Sequence, residues 1–584
     1  MEEVALVEAV EPFASKVRRP ESERAEVGLE PGPGEEICQN ESEGEAEGED
    51  DQDRGRGPLH PGRPRRRSRA SLVPTGYGAS HRGTAPARAW KVDRSVAQGG
   101  PDDPAADPPT DMRSGGRLDG RLDLAVGVLL AVIAFGIYMA TQTDRFYDHF
   151  VWQASAFLEG QAAIRYPVEA TAGNVGNAFF QDVLPVASSD GVPRGLIPFP
   201  PLPALILVPF VAAWGLATDD QTVFTILGAL DVAVCWWMLG RLRIQPIARL
   251  ATVVFFAFGT VFWYTAQLAT TWYQAHVVAV GLAMLAVGLA LGADAAAQDD
   301  APGSDGDAVR ADPAIRRHRS GLDRRQFVVG LLFGLAATAR LTILLAAPFF
   351  ILAGSGGSWW RRSWSAGLGA AIPVAALLAY NMAVTGDIFH PAYDHLYRLE
   401  ARAYTALHYH PEWSAEDPRY LAQNLGIMFL STPEILPERR RDTLGTIDEP
   451  VCTDPGAQRG LFDPDCPLAL PRDVGMSVLL TSPAFLLMIP ALRRYGRSRV
   501  VTGAALAVLL VVLIDLMHFS QGWVQFGYRF SNDAVPFALP LVALGLDRMA
   551  DGTRRWAMPL AMVLVVASIA VNAWGVVWAR QLGW

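Results

Sequence analysis

Hydrophobic residues are concentrated after residue 121, in runs long enough to cross or enter a lipid bilayer. A transmembrane helix needs about 20 predominantly apolar residues, and eleven runs match or approach that length. We therefore predict an all-α polytopic membrane protein with about 11 transmembrane helices. The predicted spans cover residues 122–141, 221–240, 248–267, 273–293, 326–339, 341–355, 365–384, 476–492, 500–518, 533–547 and 556–578.

A further apolar run, residues 199–211, contains four prolines around a short apolar core. The distribution of arginine decides whether this run spans the membrane, because short cytoplasmic loops are enriched in Lys and Arg. If the run stays at the outer surface, every Arg-rich short loop falls on the cytoplasmic side. The sequence therefore predicts a cytoplasmic N-terminus, an outer C-terminus, and outer loops at residues 142–220 and 385–475.

The first 121 residues are rich in Glu, Gly, Pro, Arg and Ser and have few aromatic residues. Such a segment buries too little apolar surface to offset the entropy lost on ordering, so we predict a disordered cytoplasmic tail. Residues 1–53 hold 18 acidic and 4 basic side chains, whereas residues 54–94 are strongly basic. The two blocks largely cancel, so the net charge of −10 for the whole chain does not show this separation of charge. The basic block could contact anionic lipid or nucleic acid. A solvated arm is the simpler interpretation, and no nucleic-acid partner or cleavable signal peptide is expected.

Two of the four cysteines lie in the larger outer loop. Turn-forming residues separate Cys452 from Cys466, whereas Cys38 lies in the tail and Cys235 inside a predicted span. A disulfide that closes a loop of this size persists in an oxidising compartment. We expect Cys452 and Cys466 to form that bond, with two free thiols as the alternative.

Acidic and imidazole groups follow the first span directly. Asp144 and Asp148 are four residues apart, and His149 comes next. If the first helix continues, both carboxylates share one face, and burial can raise the pKa of one carboxyl while the other stays ionised. We interpret the two aspartates as candidate catalytic groups and His149 as a candidate substrate ligand. The alternative is that these polar residues only mark the membrane interface.

Arg340 interrupts about thirty mostly apolar residues. A charge at membrane depth is costly unless it faces a polar cavity or a partner. The predicted topology puts this arginine at the outer surface, where two short spans meet. Because a guanidinium fork can bind phosphate with two parallel hydrogen bonds, we predict a phosphate ligand. An interfacial arginine whose head group extends to water is the alternative.

The short loop after residue 518 combines aromatic rings, amides and an arginine between two hydrophobic spans. It contains Gln525, Tyr528 and Arg529, a mixture that suits a sugar phosphate. An aromatic belt at the membrane interface is the alternative. His276, at the outer start of a span, and Tyr393, at the start of the second outer loop, are further candidate substrate ligands.

Histidine and aspartate residues near Tyr393 raise the question of a metal ion. His390, Asp394 and His395 are close in sequence, but their spacing matches no known ligand pattern. Ordinary surface histidines are the simpler interpretation, and a divalent metal ion stays open as a cofactor.

Several short motifs follow one another in a fixed order along the membrane domain. They are Asp148 before Leu158-Glu-Gly160, Pro200-Pro201, Ala339-Arg340, Tyr380-Asn381, Thr385-Gly386, Ser482-Pro483 and Gly527-Tyr-Arg529. This order resembles the GT-C fold membrane glycosyltransferases, in particular bacterial members of the protein O-mannosyltransferase and aminoarabinose transferase group. The resemblance extends over residues 122 to about 550 as a pattern.

The resemblance implies an inverting transfer of a sugar from a polyprenyl phosphate to a glycan, lipid or protein acceptor. It implies that an aspartate of the first outer loop is the general base, here Asp148 or, as second choice, Asp144. It also implies that cations bind the phosphate leaving group, here Arg340 and Arg529 with help from His276. The proline-rich run would form the juxtamembrane helices that these enzymes have on the outer side.

One departure from the family pattern concerns the first outer loop. Many members have adjacent Asp and Glu there, whereas Asp148 is followed by His149, which leaves the base and any metal dependence open. A transporter or lipid flippase would use the same polar groups as a substrate gate, but no convincing internal repeat is present. A membrane scaffold would leave Arg340 without a purpose, so a glycosyltransferase is the preferred hypothesis.

Overall fold

A computed structural model of the protein describes residues 120–584 except 145–146, 173–175, 181, 300–320, 356, 404, 521, 523 and 551–554. The predicted tail, residues 1–121, therefore lies outside the described residues apart from its last two positions. The described chain is mainly helical. Its helices up to the first large gap are α1 (Gly120–Thr141), α2 (His149–Leu158), α3 (Leu202–Trp214), α4 (Asp220–Leu239), α5 (Pro246–Phe258), α6 (Phe262–Leu268) and α7 (Thr271–Asp299).

The helices after that gap include several short or interrupted ones. They are α8 (Arg324–Ala337), α9 (Ala347–Leu352), α10 (Trp359–Thr385), α11 (Pro391–Ala403), α12 (Leu421–Leu425), α13 (Val478–Thr481), α14 (Met488–Tyr495), α15 (Arg499–Met517), α16 (Val535–Ala550) and α17 (Ala557–Leu582). Single 3₁₀ turns cover Leu341–Ala346, Pro418–Tyr420, Pro483–Leu487 and Arg529–Asp533, among others.

Among the described residues, six helices are long and apolar enough to cross a membrane, namely α1, α4, α7, α10, α15 and α17. Helices α5 and α6 form a seventh candidate that bends by 51° at the break between them. These are the helices of a multi-pass membrane protein. The predicted count of about 11 spans is not confirmed, because several predicted spans coincide with helices that are shorter or broken.

The burial pattern of α1 shows how such a helix lies between protein and lipid. Gly127, Ala131, Ala134 and Tyr138 are buried at spacings of three or four residues, and this stripe faces α4. The opposite side exposes large apolar side chains such as Leu124, which is 70% exposed. A helix that is hydrophobic on all sides is stable only when lipid covers the exposed side.

The backbone leaves the α-helical conformation at one predicted boundary between spans and inside one predicted span. Arg340 adopts an extended conformation, with φ −140° and ψ 102°, between α8 and the following 3₁₀ turn. The predicted span 476–492 breaks into α13, a 3₁₀ turn and α14, with Pro483 at the break. Proline lacks the N–H that an α-helical turn requires, so the prediction of one continuous span at 476–492 is wrong.

The segment between α1 and α4 contains a small antiparallel sheet and the short helix α3. Strand β3 (Arg194–Leu196) pairs with both β1 (Ile164–Arg165) and β2 (Leu184–Val186), in the order β1-β3-β2. Ile164 is opposite Gly195, and Leu184 is opposite Leu196. The proline-rich run forms α3, with 13 residues, and it packs on α2.

The second large loop contains two short hairpins and a disulfide. Strand β4 (Glu434–Ile435) pairs with β7 (Ala469–Leu470), and β5 (Arg439–Arg441) pairs with β6 (Asp448–Pro450). The structure joins Cys452 to Cys466, while Cys235 is a buried free thiol. Cys38 lies outside the described residues.

Small residues allow α8 and α10 to approach closely, and this contact fixes the end of α8 next to Arg340. A Cβ atom added at Gly330 would lie 2.0 Å from the Ala366 carbonyl oxygen, and one at Gly369 would lie 2.1 Å from the Phe327 carbonyl oxygen. Glycine at such positions lets two helix backbones pack against each other in a membrane.

We therefore expect Gly330→Val to destabilise the protein by about 1–3 kcal/mol or more, because the added side chain overpacks the α8–α10 contact. The measurement is the midpoint of thermal unfolding in detergent. Gly367→Val is the matched control, since an added Cβ there meets nothing within 4 Å. Equal midpoints for the two variants would contradict the close contact.

Candidate functional site

Asp148 lies at the N-terminus of α2 as its cap residue. The first helix ends at Thr141, so the expectation that one continuous helix carries both Asp144 and Asp148 is wrong. Asp144 is exposed, whereas Asp148 is half-buried. The two carboxylates therefore have different environments, and the more enclosed one is Asp148.

The Asp148 carboxylate makes no hydrogen bond to any other residue that the structure describes, and it does not cap its own helix. Burial raises the pKa of Asp148 to about 6, the His149 charge opposes that shift, and the negative charge of Asp219 adds to it. Asp219 caps α4 by accepting a hydrogen bond from the Thr222 N–H at 2.9 Å. A carboxylate of this kind can take up a proton near neutral pH.

His149, a predicted substrate ligand, is fully enclosed by protein contacts. Its Nε2 lies 2.5 Å from the Asp182 carboxylate, and its Nδ1 lies 3.1 Å from the Thr271 hydroxyl. The ring stacks on Phe180 at 3.9 Å between centroids. The side chain is 1% exposed, and its contacts hold the start of α2 in place. Its role as a substrate ligand stays a prediction. Sequence analysis missed Asp182, because a single aspartate in a polar loop carries no pattern.

Arg340 pairs with Asp533. Its Nε donates to Asp533 Oδ2 at 3.0 Å and its Nη2 donates to the same oxygen at 2.8 Å. The Thr342 hydroxyl also donates to that oxygen, at 2.5 Å. Two of the Arg340 nitrogens are therefore engaged by a carboxylate, and the role of Arg340 as a phosphate ligand stays a prediction. The guanidinium is still 22% exposed, and only its Nη1 edge is left for another ligand.

Asp533 also binds His276, whose Nδ1 lies 2.8 Å from Oδ1. Both side chains are completely buried, and His276 Nε2 has no hydrogen-bond partner among the described residues. Burial alone would raise the pKa of Asp533, but the positive charges of Arg340 and His276 outweigh burial and hold that pKa below its ordinary value. Asp533 is thus the common counter-charge of two predicted phosphate ligands.

Arg529 lies near the Phe530 ring, as Arg340 does. The guanidinium carbons of Arg340 and Arg529 lie 5.2 and 5.3 Å from the ring centroid. Arg529 Nη1 donates to the Gly522 carbonyl at 2.8 Å, and its Nε has no partner in the described part of the chain. Two cations therefore flank one aromatic ring, as cation–π contacts favour.

Gln525 and Tyr528, also predicted substrate ligands, support the loop that carries Arg529. Gln525 is fully buried, and its Oε1 accepts from the Arg529 N–H at 2.9 Å. Tyr528 is fully buried, with its hydroxyl 3.4 Å from the Asp515 carbonyl. Their contacts are internal, so the structure gives both residues a supporting role.

The first turns of α7 join the aspartate half of the site to the arginine half. Thr271 contacts His149, and Trp272 Nε1 donates to Asp182 at 3.1 Å. Arg529 lies over the ring of the next residue, Tyr273, at 5.3 Å. His276, one turn from Trp272, binds Asp533. Because a helix rises about 1.5 Å per residue, this whole stretch covers about 8 Å. The two halves are consequently held close together on one rigid element.

Tyr393 lies near both arginines. Burial raises the pKa of Tyr393 above its ordinary value, and the charges of Arg340 and Arg529 oppose that effect. Burial raises the pKa of Glu400, on the same helix, to about 8, the charge of Asp182 adds to this shift, and the charge of Arg529 opposes it. Sequence analysis did not identify Glu400, since an acidic residue on an amphipathic helix is ordinary.

The described residues contain no group of three or more His, Cys, Asp or Glu side chains that could hold a metal ion. Of the three residues considered for a metal, His390 Nδ1 accepts from the Ala392 N–H at 3.3 Å. Asp394 pairs with Arg398 at 2.7 Å. Among the described residues, His390, Asp394 and His395 therefore do not form a group that could hold a metal ion.

We expect Asp533→Asn to destabilise the protein by about 3 kcal/mol, because it leaves Arg340 and His276 without their counter-charge at a buried position. The measurement is the thermal unfolding midpoint of the purified protein. Asp448→Asn is the control, since Asp448 pairs with Arg439 on an exposed hairpin and its loss should leave the midpoint nearly unchanged. Equal midpoints for Asp533→Asn and the wild type would contradict this role.

No model of a protein family and no curated protein matches this chain. Among solved structures, the chain is similar to the crystal structure of ArnT from Cupriavidus metallidurans bound to undecaprenyl phosphate. The identity is 10%, over 80% of this chain and 78% of that chain, with a TM-score of 0.43. It is also similar to the apo oligosaccharyltransferase from Archaeoglobus fulgidus, with 12% identity over 79% of this chain and 56% of that chain and a TM-score of 0.37.

Both solved structures have the GT-C fold, the one that the sequence resembles. Similarity at this level carries no argument about activity, so function is inferred from the geometry of the site.

Proposed function

We propose that the protein is a membrane glycosyltransferase that transfers a sugar from a polyprenyl-phosphate donor to an acceptor on the outer face of the cell membrane. One observation carries the proposal. The half-buried carboxylate of Asp148, which has no hydrogen-bond partner among the described residues, directly precedes His149, and His149 contacts Thr271 at the start of α7. Two cations reach the first turns of the same helix, since Arg529 lies over the Tyr273 ring and Arg340 is joined to His276 through Asp533. A displacement at a sugar phosphate needs a base for the acceptor and cations for the leaving group.

Asp148 is the proposed general base, and the exposed Asp144 is the second choice. In the proposed step the acceptor hydroxyl oxygen attacks the anomeric carbon, and its proton passes to the Asp148 carboxylate. The bond between that carbon and the phosphate oxygen breaks, and the polyprenyl phosphate leaves with the electron pair. Attack from the face opposite the phosphate inverts the configuration of the sugar.

Arg529 and the free edge of Arg340 are the proposed phosphate ligands. Fixed cations stabilise the negative charge that develops on the leaving phosphate, and they act more strongly where water is excluded. His276 is buried with an unpartnered Nε2, so its proposed part is to support Asp533 and, through it, the orientation of Arg340. Tyr393 is a proposed further ligand for the donor.

Two features support an outer site and a lipid-linked donor. The disulfide between Cys452 and Cys466 belongs to the same large loop as Tyr393, and disulfides persist in oxidising compartments. The site also lies at helix ends, where the phosphate of a lipid in the bilayer could reach Arg340 while the acceptor approaches from water. The proposed acceptor is a glycan, a lipid or a protein, and no metal ion is required by the proposed step.

We expect Asp148→Asn to lower transfer from a polyprenyl-linked sugar by at least about 100-fold, because it removes the proton acceptor. The measurement is formation of the glycosidic product in membranes, with the amount of inserted protein as a check. Asp144→Asn tests the second choice on the same loop and should keep most of the activity. If only Asp144→Asn loses activity, Asp144 and not Asp148 is the general base. If the protein is a transporter, it moves the donor lipid without forming a glycosidic product.

We expect kcat/KM to fall as the pH drops below about 6, by up to tenfold per pH unit, because Asp148 works only when deprotonated. The negative charge of Asp219 raises the pKa of Asp148, so Asp219→Asn should move this acidic limb to lower pH. Asparagine can still cap α4, which keeps the fold intact. An acidic limb that does not move would contradict the proximity of Asp219 to the base.

A further inference from the structure

Three polar side chains form a chain of hydrogen bonds that ends at Tyr393. The Tyr393 hydroxyl lies 3.0 Å from His518 Nε2. His518 Nδ1 in turn lies 3.2 Å from the Glu416 carboxylate. A carboxylate, an imidazole and a hydroxyl in this order can orient the hydroxyl and adjust its charge.

The backbone fixes the first two members opposite each other. Glu416 and His518 form an antiparallel β-bridge, and the Asp417 N–H donates to the Met517 carbonyl at 2.8 Å. Residues that face each other across such a bridge have neighbouring side chains. The buried Asn424 amide donates to the His518 carbonyl at 2.8 Å and pins this segment further.

Ring contacts connect the chain to the proposed phosphate ligands. The His518 ring lies 5.8 Å from Tyr393 and 5.6 Å from Phe530. Phe530 is the ring that Arg340 and Arg529 flank. The rings of His518 and Phe530 therefore connect Tyr393 to the two cations.

We propose that Glu416 and His518 are positioning residues that direct the Tyr393 hydroxyl onto the phosphate of the donor lipid. This inference rests on the proposed function, whose phosphate ligands are Arg340 and Arg529. It adds a neutral hydrogen-bond donor to these cations and gives His518 and Glu416 a defined part in binding.

The direction of each hydrogen bond follows from the available donors. A carboxylate only accepts, so Glu416 fixes a hydrogen on His518 Nδ1. When Nε2 also carries a hydrogen, it donates to the Tyr393 oxygen, and the Tyr393 O–H is then free to donate to a phosphate oxygen. The anionic phosphate favours this state, since the imidazolium charge lies behind the hydroxyl. Burial raises the pKa of Tyr393, which keeps the hydroxyl protonated as a donor.

The test measures binding of undecaprenyl phosphate, without a sugar, to the full chain in nanodiscs of zwitterionic lipid. We expect Tyr393→Phe to weaken binding by about tenfold or more, as for a lost hydrogen bond to a charged group. The matched control is Tyr397→Phe, one turn away on α11. Tyr397 bonds to Tyr420 at 2.8 Å and faces the aromatic core of the loop, so its loss should leave phosphate affinity unchanged.

A double-mutant cycle separates positioning from general structural support. His518→Gln alone should weaken binding several-fold, and Glu416→Gln less, but neither should have a further effect in the Tyr393→Phe background. If the losses of affinity caused by His518→Gln and Tyr393→Phe multiply in the double variant, the inference is overturned. Excess inorganic phosphate serves as a competitor for undecaprenyl phosphate. Competition shows that the phosphate head group alone is recognised, and its absence shows that the lipid chain is also required. We expect inorganic phosphate to compete less well for the Tyr393→Phe variant than for the wild type.

Failure of this inference is distinguishable from failure of the proposed function. Wild-type binding that Tyr393→Phe leaves unchanged would overturn the role of Tyr393 and keep Arg340 and Arg529 as phosphate ligands. A wild-type protein that neither binds undecaprenyl phosphate nor transfers a lipid-linked sugar would overturn both.

Discussion

The burial of Asp533 is the constraint on which the rest of the site depends. A carboxylate with no solvent exposure is stable as an anion only if cations and donors surround it. Arg340 and Thr342 supply them from one part of the chain and His276 from another. Their positions are thereby fixed relative to one another, and the guanidinium of Arg340 is held at the boundary between the protein interior and the space around Phe530.

This constraint also sets the electrostatics of the proposed phosphate site. Asp533 cancels most of the charge of Arg340, so Arg529 is the stronger attraction for an anion even though the sequence draws attention to Arg340 first. Close packing of α8 on α10 supports the arrangement, because Arg340 follows α8 directly. The glycines at that contact therefore influence the position of Arg340 without contacting it.

Much of the fold follows from the sequence because the membrane demands it. Apolar runs predict where helices occur, and the positions of α1, α4, α7, α15 and α17 agree with the predicted spans. The break at Arg340 coincides with the predicted boundary between two spans. The break at Pro483 does not follow from hydrophobicity, since it interrupts a run that remains apolar. Hydropathy therefore predicts where the chain is buried in lipid better than it predicts how many helices cross.

The site is predictable only in part, for a related reason. Asp148, Arg340, Arg529 and Tyr393 are conspicuous as polar groups beside apolar spans, and the structure brings Arg340 and Arg529 to one ring, that of Phe530. Their partners are not conspicuous. Asp182 and Glu416 are ordinary loop residues until the fold sets them against His149 and His518, and no local pattern links residues so far apart.

The separation between Arg340 and Asp533 has a consequence for the biosynthesis of the protein. The two residues are 193 positions apart, and His276 precedes Asp533 by 257. During translation, Arg340 enters the membrane long before its carboxylate partner has been made, and an unpaired arginine at that depth costs about 2.5–3.5 kcal/mol by insertion measurements. The apolar segments on either side of Arg340 must offset that free-energy cost until Asp533 has been made. The ion pair is thus a late step of assembly, and the ribosome has nearly finished the chain before Arg340 and His276 can meet Asp533.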